Sequence, residues 1–283
     1  MIFLGGKMEK IINGKEISNK LKEELKQKLK EIKGKPKFIV IQVGNNPASD
    51  VYVRNKEKVC KEIGIDAEIL KYGEISEKDL INKIKELNDD KLVNSILVQL
   101  PLPSEINETN VIEAINPIKD VDGLTSANLG KLFSKQDAIV PCTALGVLKL
   151  LEEKEIDLEG KKVTILGRSK LVGLPLVALL LNKNATVTIC HSKTKNIEEE
   201  TKTADILIVA IGKKEYVKKE MIKPGAILID VGINRDNNKL YGDIDYNDCY
   251  DKCQMITPVP GGVGPMTIMM LMNNIIASYL DKQ

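Results

Sequence analysis

The chain has one histidine, an odd number of cysteines, no excess of either charge and no long apolar run, and each shortage removes a class of function. With His191 as the sole histidine and one close cysteine pair, Cys249 and Cys253, a second ligand pair for a zinc site is missing, and no metal is expected. Cys60, Cys142, Cys190, Cys249 and Cys253 are expected as reduced thiols within strands and helices, which fits a reducing compartment better than a disulfide framework. The 42 Lys and Arg are mixed with 40 Asp and Glu for a formal charge of +2. No basic block marks a nucleic-acid or membrane surface, so a small-molecule partner is favoured. The apolar stretch in MIFLGGKMEK is too short for a signal peptide, and Leu171 to Leu181 is too short to cross a bilayer. A soluble, cytoplasmic protein is expected.

What is present is a regular alternation of strand and helix patterns. At 283 residues, 43% hydrophobic, the chain is long enough for two cores. Leu21, Leu25 and Leu29 recur at helical spacing within Ile17 to Ile32. KFIVIQVG reads as a buried strand, and a strand at Ala67 to Tyr72, a capping box at Ser76 and Asp79, and the strand SILVQL follow. Residues 101–141 read as loop-rich, with one short helical pattern at Val111 to Ile115. CTALGVLKLLEEK is a helix bridging two halves. KVTIL, TVTIC, ILIVA and AILIDV then alternate with helices, as in a dinucleotide-binding sheet. The fold class is α/β, with two domains of parallel-rich sheets, the second Rossmann-like, and an active-site cleft between them. The expected bounds are 1–143 for a catalytic domain and 144–264 for the dinucleotide-binding domain, with an apolar C-terminal helix, 265–283, packing back onto the first.

One segment carries an anomaly. SDVYVRNKEKVCKEIGI, Ser49 to Ile65, reads as a helix with Tyr52, Val59, Cys60 and Ile63 on an apolar stripe, and Lys56 stands in the middle of that stripe. A lysine there can snorkel to water, which is a structural reading, or can be a functional amine.

Other stretches fall where open parallel sheets expose their ligand-binding loops. GRSKLVGLP, Gly167 to Pro175, is not the G-x-G-x-x-G fingerprint, since Ser169 replaces the second glycine. Its place between a strand and a helix still offers backbone N–H groups to a pyrophosphate, with Gly173 opening the helix. After the next strand come His191, Ser192 and Lys193 rather than Asp or Glu. With Arg168 nearby, this favours NADP over NAD, and a cofactor contact or a structural role for His191 over catalysis. Gln99, flanked by Val98 and Leu100, ends a strand. Asp122 lies in an Asp-Gly turn, for which a plain turn role competes with a binding one. Pro260, Gly261 and Gly262 form a loop dense in glycine, suited to close approach of a flat ligand or to starting the last helix.

VGNNPASDVYVRNKEK, VQLPLP, DVDG, PCTALG, GRSKLVGLP, ATVTICHSKT, IDVGIN and TPVPGGVGPMT, in this order, resemble the bifunctional methylenetetrahydrofolate dehydrogenase/methenyltetrahydrofolate cyclohydrolase family over nearly the whole chain from Glu9. Three departures stand out: Ala144 where the family has Pro, Asn13 where it has Asp, and residues 1–7 ahead of the usual start, with Met8 as a possible initiator. The resemblance implies a homodimer in one-carbon metabolism that oxidises 5,10-methylenetetrahydrofolate with NADP and hydrolyses the methenyl product to 10-formyltetrahydrofolate. It implies catalytic roles for Lys56, Gln99, Tyr52 and Asp122, with Tyr52 stacking on the pterin and Asp122 accepting hydrogen bonds from its donor edge. Val98, Leu100, Pro260, Gly261 and Gly262 join these as folate contacts, and Gly167, Arg168, Ser169, Gly173, His191, Ser192 and Ile233 as NADP contacts.

Hydride transfer leaves a stabilised cation and requires mainly positioning, whereas hydrolysis requires water to be activated. A lysine desolvated on the apolar stripe beside a cationic substrate would have its pKa lowered toward that task, and an uncharged Gln99 would orient the amine without re-stabilising the ammonium. Two other readings remain at this point: an NADP-dependent dehydrogenase of a small hydroxy acid, of the shikimate type, and a non-enzymatic dinucleotide sensor.

Overall fold

A computed structural model describes residues 9–237 and 239–280. The possible start at Met8 concerns residues outside them. The chain divides into two compact units, one of Asn19–Leu145 with 267–280 and one of 9–18 with Gly146–Met266.

In the first unit, β1 (Lys37–Val43) lies between β2 (Asp66–Tyr72) and β3 (Ser95–Val98), all parallel. The run of Phe, Ile and Val that makes up β1 is buried from Phe38 to Val43, as a strand covered on both faces requires. Helix α1 (Gly14–Lys30) buries Leu21, Leu25 and Leu29. Helix α2 (Pro47–Ile63) starts earlier than expected: Asn46, not Ser49, is its cap, accepting from Ser49 N with Oδ1 at 3.3 Å, and Pro47 takes the first turn, where its missing N–H costs nothing. The helix stops at Gly64, whose φ of +103° lets the chain turn out. Asp50 anchors its first turn by accepting from Gln42 Nε2 at 2.6 Å and Lys71 Nζ at 2.7 Å.

Helix α3 (Glu77–Asp89) has the expected capping box, Ser76 Oγ accepting from Asp79 N at 3.1 Å. The tract after β3 is more ordered than its prolines implied. It contains α4 (Glu108–Glu113) and also α5 (Ser126–Phe133), which the sequence reading missed. Ile39, Ile41, Leu80, Ile84, Ile96 and Val98 centre the core of this unit.

Helix α6 (Cys142–Glu153) leads from one unit into the other. The second unit has β4 (Lys162–Leu166), α7 (Gly173–Asn182), β5 (Thr186–Cys190), α8 (Ile197–Lys202), β6 (Ile206–Val209) and β7 (Ile227–Asp230). A hairpin of β8 (Asn234–Asp236) and β9 (Lys239–Tyr241), a short α9 (Tyr246–Cys249) and β10 (Met255–Ile256) follow. The sheet order is β10-β7-β6-β4-β5, all parallel. Residues 9–18, expected with the first domain, belong here instead, because Ile12 N donates to Ile256 O at 2.9 Å and Ile11 bridges the same strand.

Helix α10 (Val263–Leu280) has the length and hydropathy to cross a membrane, but Met269, Leu271, Met272, Ile275 and Ile276 are buried in the protein core, as its all-round apolar surface predicts. All five cysteines are buried free thiols.

Candidate active site

The face that α2 buries is set by Val53, Cys60 and Ile63, at 3%, 0% and 6% exposure. Lys56 falls between Val53 and Cys60 on this face, at spacings of three and four, so its ammonium is carried toward the protein rather than the solvent. Tyr52, expected on the same buried stripe, is instead 40% exposed. Val53 takes the buried place because 53, 56, 60 and 63 follow the helical period more closely than a stripe through Tyr52. One turn before Lys56, Tyr52 remains its neighbour along the helix surface.

Lys56 Nζ donates to Gln99 Oε1 at 2.9 Å. Gln99 leaves β3 with its backbone N–H on Ile41 O at 2.8 Å, and its Nε2 donates to Leu100 O at 2.6 Å, so the amide oxygen is turned to the lysine. Leu100 thus contributes a carbonyl, while the Val98 side chain belongs to the core at 2% exposure. Burial pushes the Lys56 pKa down, opposed first by Asp122 and then by Cys142 and Cys60. Asp122 is displaced the other way: burial raises its carboxyl, and Lys56 is the main opposing influence. The Cys142 thiol is held well above the ordinary range by burial and by Asp122, and Cys60 is pushed up to about 12 by burial.

The turn at DVDG separates two aspartates. Asp120 makes the turn, its carboxylate accepting from Gly123 N at 3.0 Å, Thr125 N at 2.8 Å and Asn128 Nδ2 at 3.0 Å. Asp122 is therefore not needed for the turn and faces Lys56 and Cys142 instead. Cys142 was not singled out in the sequence; its place at the start of α6, inside PCTALG, was the available signal.

Lys56 is half-buried as a residue, and a fully buried lysine provides an internal reference. Lys119, 7% exposed, donates to Leu87 O at 2.9 Å, Asn88 O at 2.7 Å and Asp90 O at 2.8 Å, closing the C-terminal end of α3. Among the hydrogen bonds of the described residues, Lys56 Nζ has one, to a neutral amide. That ammonium is poorly supported for a buried charge.

The other unit holds a cavity of about 300 Å³ where β4, β5 and β6 end. Gly167, Arg168, Ser169, His191 and Ser192 line it, as do Lys213 and Tyr216, which the sequence reading did not include. Gly167 has a φ of +114°, and a Cβ there would collide with Ala210 O. Gly173 lies behind the cavity, not on it: its hydrogen replaces a side chain that would strike Gly167 O, letting α7 pack on the turn. Ile233 is also off the cavity wall, 47% exposed beyond β7. His191 Nδ1 accepts from Lys193 N at 3.1 Å. Asp243 fixes the far wall, accepting from Ile211 N, Gly212 N and Lys213 N at 2.7, 2.9 and 2.8 Å. The cavity wall carries Arg168, Lys213 and two serines and, among the described residues, no carboxylate. This chemistry fits a 2′-phosphorylated dinucleotide better than a ribose diol.

The glycines of Pro260–Gly262 have an intramolecular reason. Lys15 N donates to Gly261 O at 2.9 Å, Gly261 has a φ of +105°, and a Cβ on Gly14 would collide with Gly262 O. This loop and the start of α1 approach at backbone distance within the second unit.

Two family models match. One described as tetrahydrofolate dehydrogenase/cyclohydrolase, catalytic domain, covers residues 12–122, and one described as the NAD(P)-binding domain of the same proteins covers 141–283. The bifunctional protein FolD of Lachnoclostridium phytofermentans is 54% identical over 276 residues, 95% of this chain and 97% of that protein. The crystal structure of the bifunctional FolD methylenetetrahydrofolate dehydrogenase/cyclohydrolase from Campylobacter jejuni shares 45% identity, with a TM-score of 0.94 over 96% of this chain and 99% of that one. The Trypanosoma brucei dehydrogenase-cyclohydrolase, solved with NADP and an inhibitor, is 34% identical, with a TM-score of 0.91 over 96% and 97%.

Proposed function

The chain belongs to the tetrahydrofolate dehydrogenase/cyclohydrolase family, and from that premise we propose how its residues divide the work. It is a bifunctional enzyme, an NADP-dependent methylenetetrahydrofolate dehydrogenase and a methenyltetrahydrofolate cyclohydrolase. Membership decides against the shikimate-type and sensor readings.

Lys56 is the base of the hydrolytic step. The methenyl substrate carries a delocalised cation, water adds to its one-carbon centre, and the neutral amine takes the proton that the water releases. The adduct then opens at the bond from the one-carbon centre to N5, which takes up a proton and leaves the formyl group on N10. The observation that carries this role is the one hydrogen bond of Lys56 among the described residues, to an uncharged amide: Gln99 holds the amine in place while burial depresses its pKa. Asp122 holds the pterin through hydrogen bonds from the ring's donor edge, and Tyr52, standing exposed beside Lys56, offers its ring face to the pterin. The dehydrogenase step needs no base. Bound NADP supplies the hydride acceptor; Arg168, Ser192 and Lys213 would hold its phosphate, and the turn at Gly167–Ser169 its pyrophosphate. The enzyme acts as a cytoplasmic homodimer, to be checked by sedimentation.

Absorbance during incubation with methylenetetrahydrofolate and NADP reports NADPH and the methenyl intermediate together, and wild type should produce the first without accumulating the second. Asp122→Ala should depress both reactions together and raise the apparent folate constants. Unchanged constants for both would remove Asp122 from the pterin site.

A further inference from the structure

Asn274 lies on α10 in the same unit as Lys56, 5% exposed, and its amide spans the two segments that bring Asp122 and Cys142 together. Its Nδ2 donates to Val121 O and to Val140 O, each at 3.0 Å, and lies 3.6 Å from Cys142 Sγ. The first carbonyl belongs to the residue before Asp122, and the second lies two residues before Cys142. These segments are already pressed together. Gly123 has a φ of +70°, and a Cβ there would stand 2.6 Å from Ile139 O and 2.8 Å from Pro141 N. Cys142 Sγ also reaches Val121 O directly at 3.4 Å, and with both hydrogens of one amide committed to carbonyls on opposite segments, a side chain from a third element braces that contact.

We propose that Asn274 is a positioning residue for the one-carbon chemistry, holding the Asp122 and Cys142 segments at the separation that keeps both groups against Lys56. The inference rests on the reading of Lys56 as the hydrolytic base. Its reach is electrostatic. The groups facing Lys56 are Asp122, Cys142 and Cys60, besides its partner Gln99, and those facing Asp122 are Lys56, Asp120 and Cys142. Asp122 is the one that most supports the charged form of the lysine. If the Asp122 segment drifts outward, the amine loses that support and its proton is released at lower pH.

Asn274→Leu keeps the length and branching of the side chain and removes the donors, and Asn274→Ala removes them without new bulk. Binding of NADP reports the integrity of the other unit, and circular dichroism reports folding. For either folded variant, cyclohydrolase kcat should fall about ten- to a hundredfold, the loss that a displacement of about 1 Å produces. The acid limb of the kcat profile should also move to lower pH, with NADP binding unchanged. A variant that merely contains less active protein would lose rate without moving the limb, and that result overturns the proposal, as does full activity. Failure of both variants to fold would make Asn274 a folding residue and overturn it as well. Lys56→Met is measured beside them. If it loses hydrolysis while the Asn274 variants keep wild-type rate and profile, the positioning role alone is wrong. If it retains hydrolysis, the base reading fails and the proposal falls with it.

Discussion

Lys56 and Lys119 are both drawn out of water in the same unit, and their surroundings differ in what receives the ammonium. Lys119 ends on three backbone carbonyls at the C-terminal end of α3, where the peptide dipoles present their negative ends. Lys56 ends on one amide oxygen, with a carboxyl beside it that burial itself pushes toward the neutral form. Burial lowers the pKa of both. At Lys119 the site is closed by groups that cannot leave, so the cation is a structural cap. At Lys56 the cation is under-supported, and releasing its proton relieves the cost of burying it. A buried lysine is therefore diagnostic only when its partners are counted.

Exchanging each lysine for methionine should separate the two roles. Lys56→Met preserves most of the stem volume on the face between Val53 and Cys60, so the fold and NADP binding should persist. Cyclohydrolase turnover should drop by about 10²- to 10⁴-fold, the usual worth of a positioned base, or about 3–5 kcal/mol of barrier. Dehydrogenase activity should drop less, and methenyltetrahydrofolate should accumulate in the coupled assay. Lys119→Met should show the reverse: about 2–3 kcal/mol less stability in urea unfolding, from carbonyls left without their charged donor, and unchanged cyclohydrolase turnover per folded molecule. If Lys119→Met also cost turnover selectively, the contrast between cap and base would fail.

Arg168→Ala extends the contrast to the cofactor cavity, where an exposed cation meets a ligand charge instead of being buried. It should weaken NADP binding by about 1–3 kcal/mol, leave any NAD binding little changed and leave Lys56 chemistry untouched. Titration with both dinucleotides checks this, and equal losses would place the 2′-phosphate elsewhere.

Much of this was legible in the chain. The alternation of strands and helices was readable because parallel strands buried on both faces are runs of Ile, Val and Leu, as in KFIVIQV and ILIV. Lys56 was readable because charge avoids an apolar stripe everywhere else on α2. Tyr52 was misplaced because an aromatic residue is counted as core by composition, whereas the helical phase is fixed by what lies beneath, and Val53 fits that phase. The helix α5 was missed because its signal is its cap, Thr125 accepting from Asn128 N at 3.4 Å, within a tract dominated by turn residues. Cys142 and Asn274 escaped for a different reason. Their roles are made by partners far along the chain, 132 residues apart for Asn274 and Cys142, and no local pattern records such a pairing.

The central claim is that Lys56 acts as a neutral amine because it is buried against an uncharged partner, and the pH dependence of cyclohydrolase kcat in wild type and Gln99→Glu tests it most directly. An ordinary lysine titrates near ~10.4. Wild type should show an acid limb well below that value. Gln99→Glu, by placing a carboxylate where the amide oxygen now accepts from Nζ, should move the limb to higher pH and lower the rate near neutrality. An acid limb that stays in place in Gln99→Glu would contradict the account, since the group it reports could not then be the amine held by Gln99.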